Sequence, residues 1–99
     1  MSNPNGSMTK AVAMRITGRV QGVAYRAFAR DAARRAGLSG FARNEADGSV
    51  RILAIGTPAA IEVFIADLRA GPPASAVAEV VTEEVAVPHD VAPDFIIQS

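Results

Sequence analysis

Apolar side chains recur at every second position near the start of the chain, at Val12, Met14 and Ile16. Because successive residues of a strand point to opposite faces, this period predicts a β-strand over residues 10–17 with one buried face. Residues 39–44, residues 49–55 and a valine-rich segment within 76–87 predict three more strands, and residues 94–98 predict a short closing strand. The Asp47-Gly48 pair predicts a hairpin turn between the second and third strands.

Two stretches change to the helical period. The first stretch is residues 25–36, and the second begins after Thr57 and ends near residue 70. Each places its apolar side chains on one side of a helix: Phe28, Ala29, Ala32, Ala33 and Ala36 in the first, and Ile61, Phe64, Ile65 and Leu68 in the second. Gly37 is expected to end the first helix, because glycine adopts the left-handed conformation without penalty. Thr57 and Pro58 are typical of an N-cap and a first helical position.

The order strand, helix, strand, strand, helix, strand predicts a fold class. It is the βαββαβ plan of a ferredoxin-like α+β sandwich, in which two helices lie on one face of an antiparallel sheet. Residues 1–9 are polar and lack a period, so we expect a disordered N-terminal tail followed by one domain over residues 10–99. Many unrelated functions share this fold, so the function must be argued from a site.

Composition excludes several kinds of chemistry. The 99 residues carry no cysteine and a single histidine, His89, so disulfides, thiol catalysis and cysteine or histidine-rich metal sites are not expected. No apolar run approaches the roughly 20 residues of a membrane span, and no signal-peptide pattern appears, which favours a cytoplasmic protein without membrane contact. No long apolar patch stands out either, so we expect a monomer.

Positive charge is concentrated in the first third of the chain, although the net charge is zero: Arg15, Arg19, Arg26, Arg30, Arg34 and Arg35. Such a cluster could steer a small anion toward a site, or it could be the solvated face of one helix. Aromatic residues do not alternate with these arginines, so we do not expect nucleic acid as a partner.

The segment from Gly18 to Arg26 lies where the first strand should turn into the first helix. Gly18 and Gly22, four positions apart, allow a tight turn that exposes backbone N–H groups. The helix that follows would direct its unsatisfied N–H donors at this turn, and Arg26 adds a planar cation suited to phosphate oxygens. The spacing therefore indicates an anion cradle, although an ordinary tight turn with a surface arginine fits it equally well.

This segment, Gly18-Arg19-Val20-Gln21-Gly22-Val23-Ala24-Tyr25-Arg26, resembles the first signature of the acylphosphatase family. The segment Gly40-Phe41-Ala42-Arg43-Asn44, followed by Gly48, Val50 and Gly56, resembles the second, and the similarity covers residues 11–97. The resemblance implies an enzyme that hydrolyses small acyl phosphates to a carboxylate and inorganic phosphate without a metal or cofactor. It matches the family's catalytic residues to Arg26 and Asn44, and its phosphate-binding backbone cradle to Arg19, Val20, Gln21, Gly22 and Val23.

These residues support a specific hypothesis of mechanism. Arg26 and the cradle amides would hold the phosphoryl group, and Asn44 would orient a water for in-line attack, so no phosphoenzyme forms. The Gln21 side chain could contact substrate, but exposure to water is the simpler interpretation. The alternative function is a non-catalytic phosphate-binding or regulatory module of the same fold.

Two departures from the family pattern lead to further expectations. Tyr25 stands where relatives usually have phenylalanine or methionine, which predicts a hydroxyl beside the site. The chain ends Ile96-Ile97-Gln98-Ser99, where relatives often close with an aromatic and a basic residue. We expect this second difference to affect edge-strand packing more than chemistry.

Overall fold

The computed structural model describes residues 9–98, in which five strands and two helices follow the predicted order. The elements are β1 (Lys10–Arg19), α1 (Tyr25–Arg35), β2 (Ser39–Asn44), β3 (Val50–Gly56), α2 (Pro58–Ala70), β4 (Ala76–Val85) and β5 (Phe95–Gln98). Apart from Thr9, the residues predicted to form an N-terminal tail lie outside the described residues. Within residues 9–98, no helix is long and apolar enough to cross a membrane.

The strands form one sheet in the order β4-β1-β3-β2-β5. The β1–β3, β1–β4 and β2–β3 pairs are antiparallel, as the fold class predicts, and the β2–β3 register joins Asn44 to Val50 across the predicted hairpin. The closing strand β5 is present, but it pairs with β2 in parallel, with Gly40 opposite Phe95 and Arg43 opposite Gln98. The sheet is therefore mixed, because residues 86–94 carry the chain from one edge to the other.

Both helices cover the same face of the sheet. The alternating residues of β1 that the sequence predicts to be buried, Val12, Met14 and Ile16, meet the helices there. Ala29, Ala32 and Ala33 of α1 are almost completely buried, and their small side chains allow α1 to lie close to the strands. Phe28 and Ala36, which the pattern also predicts to be buried, are only partly buried, whereas Tyr25 is buried at the start of the helix.

Three features at the helix ends follow the sequence prediction. The Thr57 hydroxyl accepts a hydrogen bond from the Ala60 N–H at 3.2 Å, so a side chain caps the first turn of α2. Pro58 occupies the first position of that helix. Gly37 follows α1 with φ +74°, the left-handed conformation expected there.

Candidate active site

Five residues, 20–24, connect β1 to α1. Gly22 has φ +76° and Ala24 has φ +61°, so two left-handed residues turn the chain sharply before the helix begins. A left-handed alanine is rare, because its Cβ crowds the backbone. Within the described residues, none of the backbone N–H groups from Val20 to Ala24 donates to a protein acceptor. This loop therefore offers a series of free amide donors, as an anion cradle requires.

The two helices differ at their N-termini. The first turn of α2 is satisfied by Thr57, whereas Ala24 at the N-cap of α1 makes no side-chain hydrogen bond. The first N–H groups of α1 thus lack a side-chain partner, and the positive end of the helix dipole lies next to the loop. Both effects favour a negatively charged ligand at this point.

Arg26 lies in the first turn of α1 and is half-buried. Its Nη1 donates a hydrogen bond to the backbone oxygen of Gln98 in β5 at 3.1 Å. No carboxylate pairs with it within the described residues. The guanidinium is therefore oriented by a neutral acceptor and keeps its charge and remaining donors for a ligand.

The other arginines of the basic cluster are mostly neutralised by acidic neighbours. Arg15 pairs with Asp47 at 2.6 Å, Arg30 contacts Asp31 at 3.1 Å, and Arg34 forms two 3.1 Å bonds to Asp94. The Phe95 N–H and the Arg34 guanidinium hold the pKa of the Asp94 carboxyl below its usual range. Among the described residues of this cluster, Arg19, Arg26 and Arg35 have no such carboxylate partner, and of these three only Arg26 is half-buried.

Asn44 is the last residue of β2, and its side chain lies on the helix-covered face, two positions after the buried Ala42. Its Oδ1 is buried and accepts no hydrogen bond within residues 9–98. A buried amide oxygen without a donor is costly, so this atom is well suited to accept a bond from a water or ligand. Arg43 lies on the opposite face, where it pairs with Glu45 at 2.8 Å and stacks over Phe41.

One cavity of about 190 Å³ brings these groups together. Its lining residues come from the loop, the first turn of α1 and the ends of β2 and β5: Val20, Gly22, Ala24, Tyr25, Arg26, Ala27, Asn44 and Ile97. Of the residues that the motifs predict, Arg26, Asn44, Val20 and Gly22 line the cavity directly. The local pattern does not predict that Ala27 and Ile97 complete its wall.

The remaining cradle residues lie beside the cavity. Arg19 is exposed at the end of β1, where it pairs with Ala76 of β4. Val23 is half-buried and packs against the core. The side chain of Gln21 does not face water as expected, because its Nε2 donates to the backbone oxygens of Glu45 and Ser49, each at 2.8 Å.

The expectation of a hydroxyl beside the site is wrong. The Tyr25 side chain turns into the core, and its hydroxyl donates to the Leu68 carbonyl of α2 at 2.7 Å. Burial raises the pKa of this hydroxyl above its usual value, so it stays protonated and bound to α2. The Tyr25 side chain therefore joins the two helices, and its hydroxyl does not face the cavity.

The C-terminal strand is an edge strand of the sheet, as expected, and it also contributes to the site. Ile97 lines the cavity, and the Gln98 backbone oxygen accepts the hydrogen bond from Arg26. The parallel pairing of β5 with β2 brings these residues beside the site. The last strand thus orients the principal cation of the cavity.

Within the described residues, no group of three or more His, Cys, Asp or Glu side chains is placed to hold a metal ion. What the cavity offers is a cationic fork, free amide donors, a helix N-terminus and an unused amide oxygen. The fold and the site together define a small ferredoxin-like α+β protein whose cavity suits a tetrahedral oxyanion.

Comparison with known proteins identifies the family. The acylphosphatase family model matches residues 12–97, so the chain belongs to the acylphosphatase family. An acylphosphatase from Rhizobium etli is 51% identical over 74 residues, which cover 75% of this chain and 79% of the relative. The match confirms the resemblance to the family and supports acyl phosphate hydrolysis as an enzymatic activity.

Two solved structures agree with the fold. An acylphosphatase from Coxiella burnetii superposes with a TM-score of 0.89 at 29% identity, covering 98% of this chain and 100% of that one. An acylphosphatase from Bacillus subtilis superposes with a TM-score of 0.86 at 32% identity, covering 93% and 100%. The ferredoxin-like architecture predicted from the order of elements is thereby confirmed.

Proposed function

We propose that this protein hydrolyses small acyl phosphates at the cavity between the β1–α1 loop and β2, with Arg26 and Asn44 as its catalytic residues. The observation that carries the proposal is a convergence of unused groups. Arg26 lacks a carboxylate partner and Asn44 Oδ1 lacks a donor within the described residues, and both line one cavity with a loop whose amides are free.

The phosphoryl group would occupy the cationic side of the cavity. The Arg26 guanidinium and the backbone amides of Arg19, Val20, Gln21, Gly22 and Val23 would bind its oxygens, with the dipole of α1 adding positive potential. These donors are fixed by the fold before the reaction begins. They can therefore stabilise the charge of the transition state without a reorganisation cost.

The attacking water would be held by Asn44. Its Oδ1 can accept a hydrogen bond from a water and direct the oxygen lone pair at phosphorus, in line with the bond to the acyl oxygen. Attack forms the new P–O bond and breaks the bond between phosphorus and the acyl oxygen, so the acyl group leaves as a carboxylate. The proton of the water can pass to a phosphoryl oxygen, because a neutral amide is a poor base.

The size of the cavity is compatible with this substrate class. Its volume is about 190 Å³, and its wall includes both the cation Arg26 and the apolar residues Ala27 and Ile97. A phosphoryl group at Arg26 would leave space beside the apolar residues Ala27 and Ile97 for a small acyl group. Because a carboxylate is a stable leaving group, the mechanism requires no strong general acid there.

The test of this function is phosphate release from benzoyl phosphate in the presence of a chelator. We expect rapid turnover, and in ¹⁸O-labelled water we expect the label in inorganic phosphate rather than in benzoate. Label in benzoate would contradict attack at phosphorus. A protein that binds inorganic phosphate but releases none from benzoyl phosphate would be the non-catalytic module of the alternative interpretation.

Asn44→Ala is expected to lower kcat for benzoyl phosphate on the order of 100-fold, because one positioned transition-state group is removed. The affinity for inorganic phosphate should change little, since the cradle amides and Arg26 remain. Stability should stay equal or rise, because a buried acceptor without a donor is removed. Steady-state kinetics, phosphate titration and thermal unfolding measure the three quantities.

The matched control for Asn44→Ala is Arg51→Ala, which changes an exposed side chain of the adjacent strand β3 on the opposite sheet face. It should leave kcat within about twofold, because surface substitutions away from a site rarely matter. If Asn44→Ala kept the wild-type kcat, the protein would still be an acyl phosphate hydrolase, but Asn44 would not be the residue that positions the water.

We also propose that the protein is a cytoplasmic monomer. Among residues 9–98, the large exposed apolar side chains lie on four different segments, α2, β4, the following loop and β5, at Val63, Val81, Val87 and Ile96, and single exposed residues of this kind are ordinary on monomers. Sedimentation equilibrium at micromolar concentration should give a mass near 10.3 kDa. A mass near twice this value would show a dimer instead.

A further inference from the structure

Gln21 joins the two halves of the proposed site without lining its cavity. Its side-chain nitrogen uses both hydrogens, one on the Glu45 carbonyl and one on the Ser49 carbonyl, each at 2.8 Å. Because both partners are acceptors, the assignment of nitrogen to this position follows from chemistry. The contacts cross 24 and 28 residues of sequence and connect the cradle directly to the segment that follows Asn44.

The partner of Gln21 is a turn that is well fixed by its own hydrogen bonds. Glu45 N–H donates to the Ser49 oxygen at 2.9 Å, and Gly48 N–H donates to the Glu45 oxygen at 3.1 Å. Asp47 accepts from the Ser49 N–H at 2.9 Å and from its hydroxyl at 2.6 Å, and also pairs with Arg15 of β1. Hydrogen bonds within the turn and the pair with β1 thus fix the two carbonyl oxygens that accept hydrogen bonds from Gln21, independently of the loop.

The loop, in contrast, is held mainly by apolar packing, because Val20 is almost completely buried in the core and Val23 packs against it. The backbone N–H groups from Val20 to Ala24 are not used within the described residues, which leaves the cradle free for an anion but without hydrogen bonds from its own amides to fix its position. We propose that Gln21 is a positioning residue, whose side-chain amide sets the position of the cradle amides relative to Asn44. This inference rests on the proposed function, and it assigns the Gln21 side chain no contact with substrate.

The chemistry of the contact requires this side chain. Two carbonyl oxygens need two donors from one group, and a terminal amide supplies them. Asparagine carries the same group but is one methylene shorter, and an ionised glutamate would bring a third acceptor against the two carbonyls. Misplacement of a bound group by about 1 Å can cost on the order of 100-fold in rate, so the tie affects the chemical step from outside the cavity.

Gln21→Met and Gln21→Glu test the inference in the full-length protein. We expect Gln21→Met to lower kcat for benzoyl phosphate by about 10- to 100-fold, with the Kd for inorganic phosphate within about threefold of wild type, because the phosphate donors themselves remain. Gln21→Glu should show the same loss at neutral pH.

The pH dependence separates positioning from packing. When the carboxyl group introduced by Gln21→Glu is protonated at low pH, its O–H can donate to one of the two carbonyls again. The kcat ratio of this variant to wild type should therefore rise several-fold between pH 7 and pH 5, while the ratio for Gln21→Met stays flat. The charged neighbours, Glu45 paired with Arg43 and Asp47 paired with Arg15, are present in all three proteins, so the wild type is the reference at each pH.

Each outcome has one meaning. Wild-type kcat in Gln21→Met would overturn the positioning role, and so would a Kd for phosphate that rises as much as kcat falls, since that result indicates direct contact. If the kcat ratio to wild type were the same for both variants and did not change with pH, Gln21 would have only a packing role. An inactive wild type would overturn the proposed function instead.

Discussion

Replacing Arg26 with alanine is expected to lower kcat/KM for benzoyl phosphate on the order of 1,000-fold, the largest loss that any single substitution here should cause. One lost transition-state donor typically costs about 100- to 1,000-fold, and a charged planar donor that can bind two oxygens falls at the upper end of that range. The affinity for inorganic phosphate should fall as well, because in the proposed mechanism Arg26 would contact the phosphoryl group in both ground and transition states.

Two further variants show which property of Arg26 matters. Arg26→Lys keeps the charge but loses the fork, so we expect it to recover only part of the activity. Arg30→Ala removes a cation one turn later on the same helix, where it already contacts Asp31. It should retain activity within about threefold, and equal losses in Arg26→Ala and Arg30→Ala would show that only the net positive charge of this end matters.

Replacing Gly40 with alanine is expected to have the largest effect on stability. Gly40 has φ +134°, which side chains rarely adopt, and a Cβ there would overlap the Leu53 carbonyl oxygen of β3. Backbone strain of this kind costs about 1–3 kcal/mol and steric overpacking a similar amount. A loss of about 3 kcal/mol or more would lower the Tm of a domain of this size by more than about 10 °C.

Gly48→Ala is the matched control for this prediction. Gly48 also has a left-handed φ of +93°, but no atom lies within 4 Å of the Cβ that alanine would add. Only the conformational cost remains, so its Tm should fall by much less, as thermal unfolding followed by circular dichroism can measure. Equal Tm values for the two variants would contradict a steric role for Gly40. A larger loss of Tm in Gly40→Ala than in Gly48→Ala would indicate that Gly40 serves strand pairing rather than catalysis.

Much of the fold follows from local pattern, and particular elements show why. The alternation of Val12, Met14 and Ile16 and the spacing of Ile61, Phe64 and Leu68 determine which face of each element is buried, because an amphipathic element gains free energy only by burying its apolar side. Thr57 and Gly37 act on the backbone of residues next to them in the sequence. Such local effects can be predicted without knowing where the rest of the chain lies.

The candidate site was predicted to a similar depth for a different reason. Arg26 and the cradle belong to one continuous segment of sequence. Asn44 is the last residue of the second motif, which lies within the next strand along the chain. The resemblance to the acylphosphatase family supplied their roles, which remain proposals until the variants are measured. Local periodicity alone left the segment from Gly18 to Arg26 open between an anion cradle and an ordinary turn.

What the sequence by itself determined is therefore the order and type of the elements, most of their buried faces, the family and two of the segments that form the cavity, the β1–α1 loop and the end of β2. Only the tertiary structure decided the long-range hydrogen bonds: Arg26 on the Gln98 carbonyl, Tyr25 on Leu68, and Gln21 on Glu45 and Ser49. A polar side chain can bond to any backbone group that comes within reach. Which group does so depends on how the strands are ordered and paired, and the parallel pairing of β5 with β2 joins segments that no local pattern relates.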